Sequence, residues 1–338
     1  MKYNYVIFWY DYWGLYEQSF SDLYDKPYAR YIASPAQYQP NILKAFYKEL
    51  QKHPRINRKI SKIFADKWML TNLWYPFHFR NDFYTHIHTH GKDIVFIFSR
   101  NWLEGEFVHY IEYLKQKYPR SRYVLFCTDL WKTDNIDASW AKSKFDLILS
   151  FDHNDCATYG FTYHPLVFSE YYGDLEDMPK SDVYFLGQPK DRFAEIISCL
   201  EKLWENGVST DVQLVNVTPD EQVYKDKISY TDQYVPYKTN LQHFLHANCV
   251  LELMQHGGVG YTQRMCEAIA FDKKIITNNA LIHEAPFYNE DYIFQIKSAG
   301  DITPEFCRRV KKVEPVDYHY KEQISPIELL EFIEKHLE

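Results

Sequence analysis

The stretch GGVGYTQRMCEAIAFDKKIIT, residues 257–277, gathers the residue types that bind phosphate. Gly257, Gly258 and Gly260 lead into a helix-forming run, and glycine allows positive φ and lets a ligand approach the backbone closely. Thr262 is placed to cap that helix, leaving its first amide N–H groups to meet an anion. Arg264 in the first turn adds a planar fork that grips a phosphate at two points. Glu267 lies three residues later on the same helix face, where a carboxylate one turn below a phosphate accepts both hydroxyls of a ribose. Together these describe a nucleoside diphosphate site. The same residues also fit a plain strand-to-helix turn in which Arg264 and Glu267 form a surface pair.

Four other stretches carry candidate chemistry. GQPKDR, residues 187–192, follows an apolar run and puts Gly187, Lys190 and Arg192 at the end of a strand. SFDHNDC, residues 150–156, places Asp152, His153 and Asp155 after another strand, where a carboxylate or imidazole can take a proton from a hydroxyl. Aspartate after a strand is equally a turn and capping residue. THIHTHG, residues 85–91, sets His86, His88 and His90 on one face of an extended segment. It lacks a fourth ligand or any CxxC or HExxH spacing, and no metal is assigned. The run 48–67 carries Lys48, Lys52, Arg55, Arg58, Lys59, Lys62 and Lys67; it reads as a solvated face or as a patch that meets anionic lipid.

The elements that must position these residues follow an alternating pattern. YVIFWY (5–10), DIVFIF (93–98), RYVLFC (122–127) and FDLILSF (145–151) fit buried strands, and GEFVHYIEYLKQKYP between the second and third has helical spacing closed by Pro119. This is the strand–helix–strand order of a parallel sheet. HPLVFSEYYGDLEDMPKS (164–181) has no period and reads as a linker. The alternation then restarts with DVYFLG, a helix closed by Gly207, DVQLVNV, a short helix and strand in NLQHFLHANCVLEL, and KKIITNN. The tail SPIELLEFIEKHL is an amphipathic helix capped by Ser325 with Pro326 at its first position. The expected organisation is two Rossmann-like domains, 1–178 and 179–338, facing a central cleft, with the helix of 325–338 free to pack back on the first. Ligands bind outside the carboxyl ends of such strands.

Composition bounds the alternatives. At 338 residues, 46% hydrophobic and 25% charged, the chain suits two soluble domains. A net charge of −8 speaks against a nucleic-acid partner. No apolar run approaches the ~20 residues that span a bilayer, and the N-terminus has no signal-peptide pattern. Six scattered cysteines read as reduced thiols of a cytoplasmic protein, peripheral at the inner membrane face if the basic run docks.

LMQHGGVGYTQRMCEAIAFDKKIITNN resembles the donor-binding signature of GT-B fold glycosyltransferases, in which a Gly-rich loop and a Glu followed by Ala-x-Ala hold a sugar nucleotide. It is most similar to bacterial enzymes of capsule and lipopolysaccharide assembly with a family 4-like donor domain. SDVYFLGQPKDRFAEIISCLEKLWENG resembles the first strand and helix of that domain. The resemblance implies an α/β GT-B enzyme moving a hexose from a nucleotide sugar to a surface-glycan or lipid-linked acceptor, with no metal and no cofactor. It implies that Arg264, Lys190 and Arg192 hold the donor diphosphate and that Glu267 holds the ribose. The family pattern has a second Glu eight positions earlier, where this chain has Val259, so the sugar contact is unassigned and the anomeric outcome stays open. With retention, the donor phosphate itself takes the acceptor proton. With inversion, Asp152 or His153 acts as base. A sugar-nucleotide 2-epimerase of the same fold and a non-catalytic nucleotide-binding partner are the rival readings; an oxidoreductase is not, because no GxGxxG follows the first strand.

Overall fold

The computed structural model describes residues 1–9, 14–32, 91–103, 107–131, 136–170, 173, 176–233, 235–255 and 258–338. The basic run 48–67, His86, His88, His90 and Gly257 lie outside the described residues.

The first half builds one parallel sheet from β1 (Asn4–Phe8), β2 (Ala29–Ile32), β3 (Ile94–Ser99), β4 (Arg122–Cys127), β5 (Leu147–Ser150) and β6 (Thr162–Tyr163), in the order β2-β1-β3-β4-β5-β6. Its helices among the described residues are α1 (Leu15–Ser19), α2 (Phe107–Lys117), α3 (Ala138–Lys144) and α4 (His153–Tyr159). The strands are apolar on both faces because both are covered. Val6, Phe8, Phe96 and Phe98 enter one core, where the Phe8 and Phe98 rings stack at 4.9 Å. Tyr5, Ile7, Val95 and Ile97 alternate with them into another.

The second half repeats the plan with β7 (Ser181–Gly187), β8 (Thr210–Val215), β9 (Ser229–Thr231), β10 (Ala247–Glu252), β11 (Lys274–Thr277) and β12 (Ile293–Gln295), in the order β12-β11-β10-β7-β8-β9. Its helices are α5 (Phe193–Glu205), α6 (Tyr237–His246), α7 (Gln263–Ala270), α8 (Pro304–Lys311) and α9 (Pro326–His336). The chain runs outward from β7 and returns beside it as β10, which creates a switch point between those two strands. Gly207 ends α5 in the left-handed region at φ 67°, with Val208 N–H donating back to the Leu203 carbonyl at 3.0 Å. Ser325 caps α9 by accepting from Ile327 N–H at 3.2 Å.

One apolar core runs between the halves. It joins Tyr5, Ile7 and Trp9 to Tyr184, Val250, Met265 and Leu330. Segment 164–170, expected as linker, is part of it. It has no period because it is extended and lies against both halves: Leu166, Val167 and Phe168 are buried, Phe168 N–H donates to Ile324 O at 2.8 Å, and the Ser169 hydroxyl donates to Ser19 O at 3.0 Å. Helix α9 crosses back to the first half. The Tyr5 hydroxyl reaches Glu334 at 2.9 Å, and the buried His164 ring lies 3.0 Å from Glu328.

Contact between the halves explains one loop glycine. Gly260 is not in the left-handed region; it is small because the first half is there. A Cβ at this position would lie 2.3 Å from the Phe151 carbonyl oxygen and 2.7 Å from its ring. At Gly258 the nearest atom would be 3.5 Å away, an ordinary contact. Gly260→Ala is therefore expected to lower unfolding free energy by about 1–3 kcal/mol, as overpacking does. Gly258→Ala should stay within about 0.5 kcal/mol. Urea unfolding of the two variants side by side checks this; equal effects would show that the halves do not meet at residue 260.

Candidate functional site

A cavity of about 520 Å³ opens between the two sheets at the carboxyl ends of their strands. The first half lines it with Tyr16, Arg100 after β3, Thr128 and Asp129 after β4, and Phe151 after β5. The second half supplies Lys190 and Arg192 after β7, Glu252 and Met254 around the end of β10, and Thr262 and Arg264 at the start of α7.

The second-half wall is cationic. Arg264 donates to the Leu186 carbonyl and lies over the Phe185 ring at 5.0 Å, which fixes its direction. Gly187 lies just behind it: a Cβ there would stand 3.8 Å from the Arg264 guanidinium, an ordinary contact. Arg192 is held by the carbonyls of Leu253, Gln188 and Pro189. Burial, and then the like charge of Arg264, lower its pKa from the ordinary value. Lys190 adopts φ 52°, uncommon outside glycine. Among the described residues, none of these three cations forms an ion pair with a carboxylate. Thr262 caps α7, its hydroxyl accepting from Met265 N–H at 3.4 Å, and the Gln263 and Arg264 amides precede the first intrahelical bond. Two guanidiniums, an ammonium and a helix start on one wall make a site for a multiply charged anion.

Glu252 is the buried acid in this wall. It is 2% exposed and accepts from the Thr262 hydroxyl and, at 2.5 Å, from the Thr277 hydroxyl. Burial raises its pKa above the ordinary value against the pull of those hydroxyls and of Arg264 and Arg192. The sequence signal for it was a lone acid inside the apolar run VLELM, a type seldom buried without partners. Arg100, Thr128 and Asp129 were also missed, although Arg100 and Thr128 directly follow strands of the first sheet and Asp129 comes one residue later.

The structure brings Lys190, Arg192, Gly258, Thr262 and Arg264 to the cavity wall and sets Gly187 just behind it. It does not bring the others. The Asp152 carboxylate is fully buried and accepts four backbone amides: Asn154 and Asp155 at 2.9 and 3.1 Å, and Val259 and Gly260 at 2.9 and 3.0 Å. It caps α4 and clasps the glycine loop, so it has no lone pair directed at a substrate. Nor are those loop amides open to an anion. Asp155 accepts from Trp131 N–H at 2.7 Å. His153 is exposed and stacks on Tyr163 at 3.9 Å, away from the cavity. Gly260 is packed on Phe151. Glu267 points to the other side of α7, 6% exposed, and accepts from the buried Tyr237 hydroxyl at 2.7 Å.

No family model matches the chain, and no curated protein sequence matches it. Among solved structures it is similar to an α-glucosyltransferase in complex with UDP and a 13-mer DNA containing a HMU base, at a TM-score of 0.54 and 12% identity, over 98% of each chain. It also aligns with the glycotransferase of kitacinnamycin (TM-score 0.44, 11% identity, 100% of both chains) and with E. coli trehalose-6-phosphate bound with UDP-2-fluoro glucose (TM-score 0.39, 11% identity, 72% of this chain and 70% of that one). The first likeness identifies the fold. The protein is an α/β chain of GT-B type, two parallel-sheet halves facing a cleft.

Burial of Glu267 has a measurable consequence. Its pKa is raised to about 7 from 4.5, burial being the cause, against the Tyr237 hydrogen bond and Arg264. A carboxyl whose folded value exceeds its unfolded value destabilises the fold once ionised. The cost is absent below pH 4.5, grows as pH rises, and is complete above about 7. Glu267→Gln keeps an acceptor for Tyr237 and removes that cost. It should stabilise the protein at pH 8 by an amount on the order of 3 kcal/mol, at about 1.4 kcal/mol per tenfold, and have little effect at pH 4.5. Denaturant titrations at both pH values measure this, and a variant no more stable at pH 8 than wild type would refute it.

Proposed function

We propose that the protein is a glycosyltransferase that moves a sugar from a nucleoside diphosphate donor to a glycan acceptor. The observation that carries the reading is the convergence of Arg264, Arg192 and Lys190 with the α7 N-terminus at the switch point of the second sheet. Such a wall matches a diphosphate, whose charge grows as the bond to the sugar breaks. The fold is consistent with this and, taken alone, would not define a reaction.

In the reaction proposed here, the diphosphate lies against these cations with the sugar toward the first half. The acceptor hydroxyl approaches past Thr128 and Asp129. Its oxygen bonds to the anomeric carbon, the bond to the β-phosphate oxygen breaks, and that oxygen takes the hydroxyl proton on the same face, retaining configuration. The buried Asp152 takes no part as base, since its oxygens hold amides. Protein cations do the work of a divalent ion, so no metal enters the step. The acceptor proposed is a capsular, lipopolysaccharide or other surface glycan, lipid-linked at an anionic membrane that the run 48–67 would meet. No helix among the described residues is long and apolar enough to cross a membrane.

Uridine donors come first in a screen, because the α-glucosyltransferase of the same fold holds UDP. Arg264→Ala removes a charged donor worth roughly 1.5–3 kcal/mol, so nucleoside diphosphate affinity should fall about ten- to a hundredfold while nucleoside affinity stays unchanged. Binding and sugar transfer should be the same in EDTA as in magnesium. Calorimetry and a radiolabelled transfer assay test both; strict magnesium dependence would overturn the metal-free step, and tight binding without transfer would leave a non-catalytic nucleotide-binding protein.

If the basic run docks to lipid, the protein should sediment with vesicles of anionic phospholipid at low salt and be released at high salt. Retention after neutralising Arg55, Arg58, Lys59 and Lys62 together would rule that surface out.

A further inference from the structure

The cavity wall contains one group that works against the ligand it is built for. Glu252 ends β10 beside the cation cluster, and both of its oxygens are engaged from the sides, by Thr262 of α7 and Thr277 of β11. Each of those hydroxyls also accepts a backbone amide, Met265 N–H at 3.4 Å and Asn279 N–H at 3.1 Å. The charged groups facing Glu252 are Arg264 from α7 and Arg192 from the loop after β7, with Lys190 on the same cavity wall. Cys266 of α7 and Tyr318 also lie near enough to feel its charge, and burial raises both above their ordinary values, keeping them neutral.

Glu252, with Asp191 and Glu195 near Arg192, offsets the repulsion between two guanidiniums that form no ion pair among the described residues. When an anion enters, the situation reverses. Two or more negative charges arrive beside a carboxylate sealed from water, and like charges at short range disfavour ionisation strongly. The hydroxyls of Thr262 and Thr277 can rotate to accept from a carboxylic acid as readily as they donate to a carboxylate.

We infer that Glu252 is a positioning residue that takes up a proton when a nucleoside diphosphate sugar binds and, by resisting that uptake, keeps the site from holding its nucleotide too tightly. The inference rests on the donor site proposed above. Glu252 touches no reacting atom in this scheme; it acts through the arginines and the α7 cap. Burial already raises its carboxyl from the ordinary value, and an anion bound beside it acts on the proton in the same direction. The sign follows: donor affinity falls as pH rises through the interval between the free and bound values of Glu252.

The test is calorimetric titration of the full chain with a UDP-sugar, which has no phosphate titrating near neutrality, in two buffers of different ionisation enthalpy. Wild type should take up a fraction of a proton at pH 7.5. Glu252→Gln should take up none, bind about tenfold more tightly at pH 8, and show kcat and KM falling together as release slows. Thr277→Val, which leaves the carboxyl in place but removes a hydroxyl favouring its charged form, should move the uptake to higher pH. Equal proton uptake in wild type and Glu252→Gln, or weaker binding by a folded Glu252→Gln, overturns the inference and leaves the donor site standing. Absence of binding by wild type to every nucleotide sugar overturns the donor site and this inference together.

Discussion

The Asp152 carboxylate ties the α4 N-terminus in one half to the glycine loop in the other, and the cleft depends on that tie. One oxygen satisfies two amides of its own helix start; the second satisfies two amides of a loop 107 and 108 residues away. A carboxylate accepting several N–H groups is a strong, directional joint, because each bond is charge-assisted and buried amides have no water to turn to. Gly260 permits it, since any side chain there would strike the Phe151 carbonyl. Breaking the joint would leave a buried carboxylate without partners and, with it, the buried amides of Asp155 and Gly260, beside the apolar core that also joins the halves.

A consequence for the site follows directly. Loop amides committed to Asp152 cannot cradle a phosphate, so anion recognition passes from the loop to side chains and to the start of α7. Arg264 and Arg192 are then aimed by carbonyls and by the Phe185 ring in place of carboxylates. Carbonyls orient a guanidinium without neutralising it. The wall therefore keeps its charge for a ligand, and the carboxylates that offset that charge are Glu252, buried in the wall, and Asp191 and Glu195 near Arg192.

Much of the frame was legible in the sequence because long buried strands announce themselves. The runs that became β1, β3, β4, β5 and β7 each have an unbroken apolar centre, and α5 and α9 carry a helical period with a glycine stop or a serine–proline start. The edge strands β6, β9 and β12, of two or three residues, are too short to show a period. At the site, residue types were readable but directions were not. Arg264 and Glu267 share a helix and were expected to share a ligand. Which side of α7 buries Glu267 is decided by Tyr237, which approaches from α6, thirty residues upstream. Asp152 stands where a base belongs in sequence terms, and its occupation by Val259 and Gly260 is a long-range fact. Glu252 was hidden by its own strand, since an apolar run does not say which single polar member lies at a cavity.

Two buried carboxyls a helix apart thus divide the electrostatics of α7. Glu267, behind the helix, faces Tyr237 and one arginine; burial dominates, and its value rises to about 7. Glu252, in front, is also raised by burial, yet two hydroxyls and two arginines pull it back toward its charged form. The difference lies in what surrounds each. Behind the helix the surroundings are fixed, and ionisation there only costs stability. In front, the cations that favour a charged Glu252 are the same ones that favour an incoming phosphate. Carboxylate and ligand compete for one set of positive charges, and a site arranged in that way weakens its own grip on the anion in proportion to how well Glu252 stays ionised.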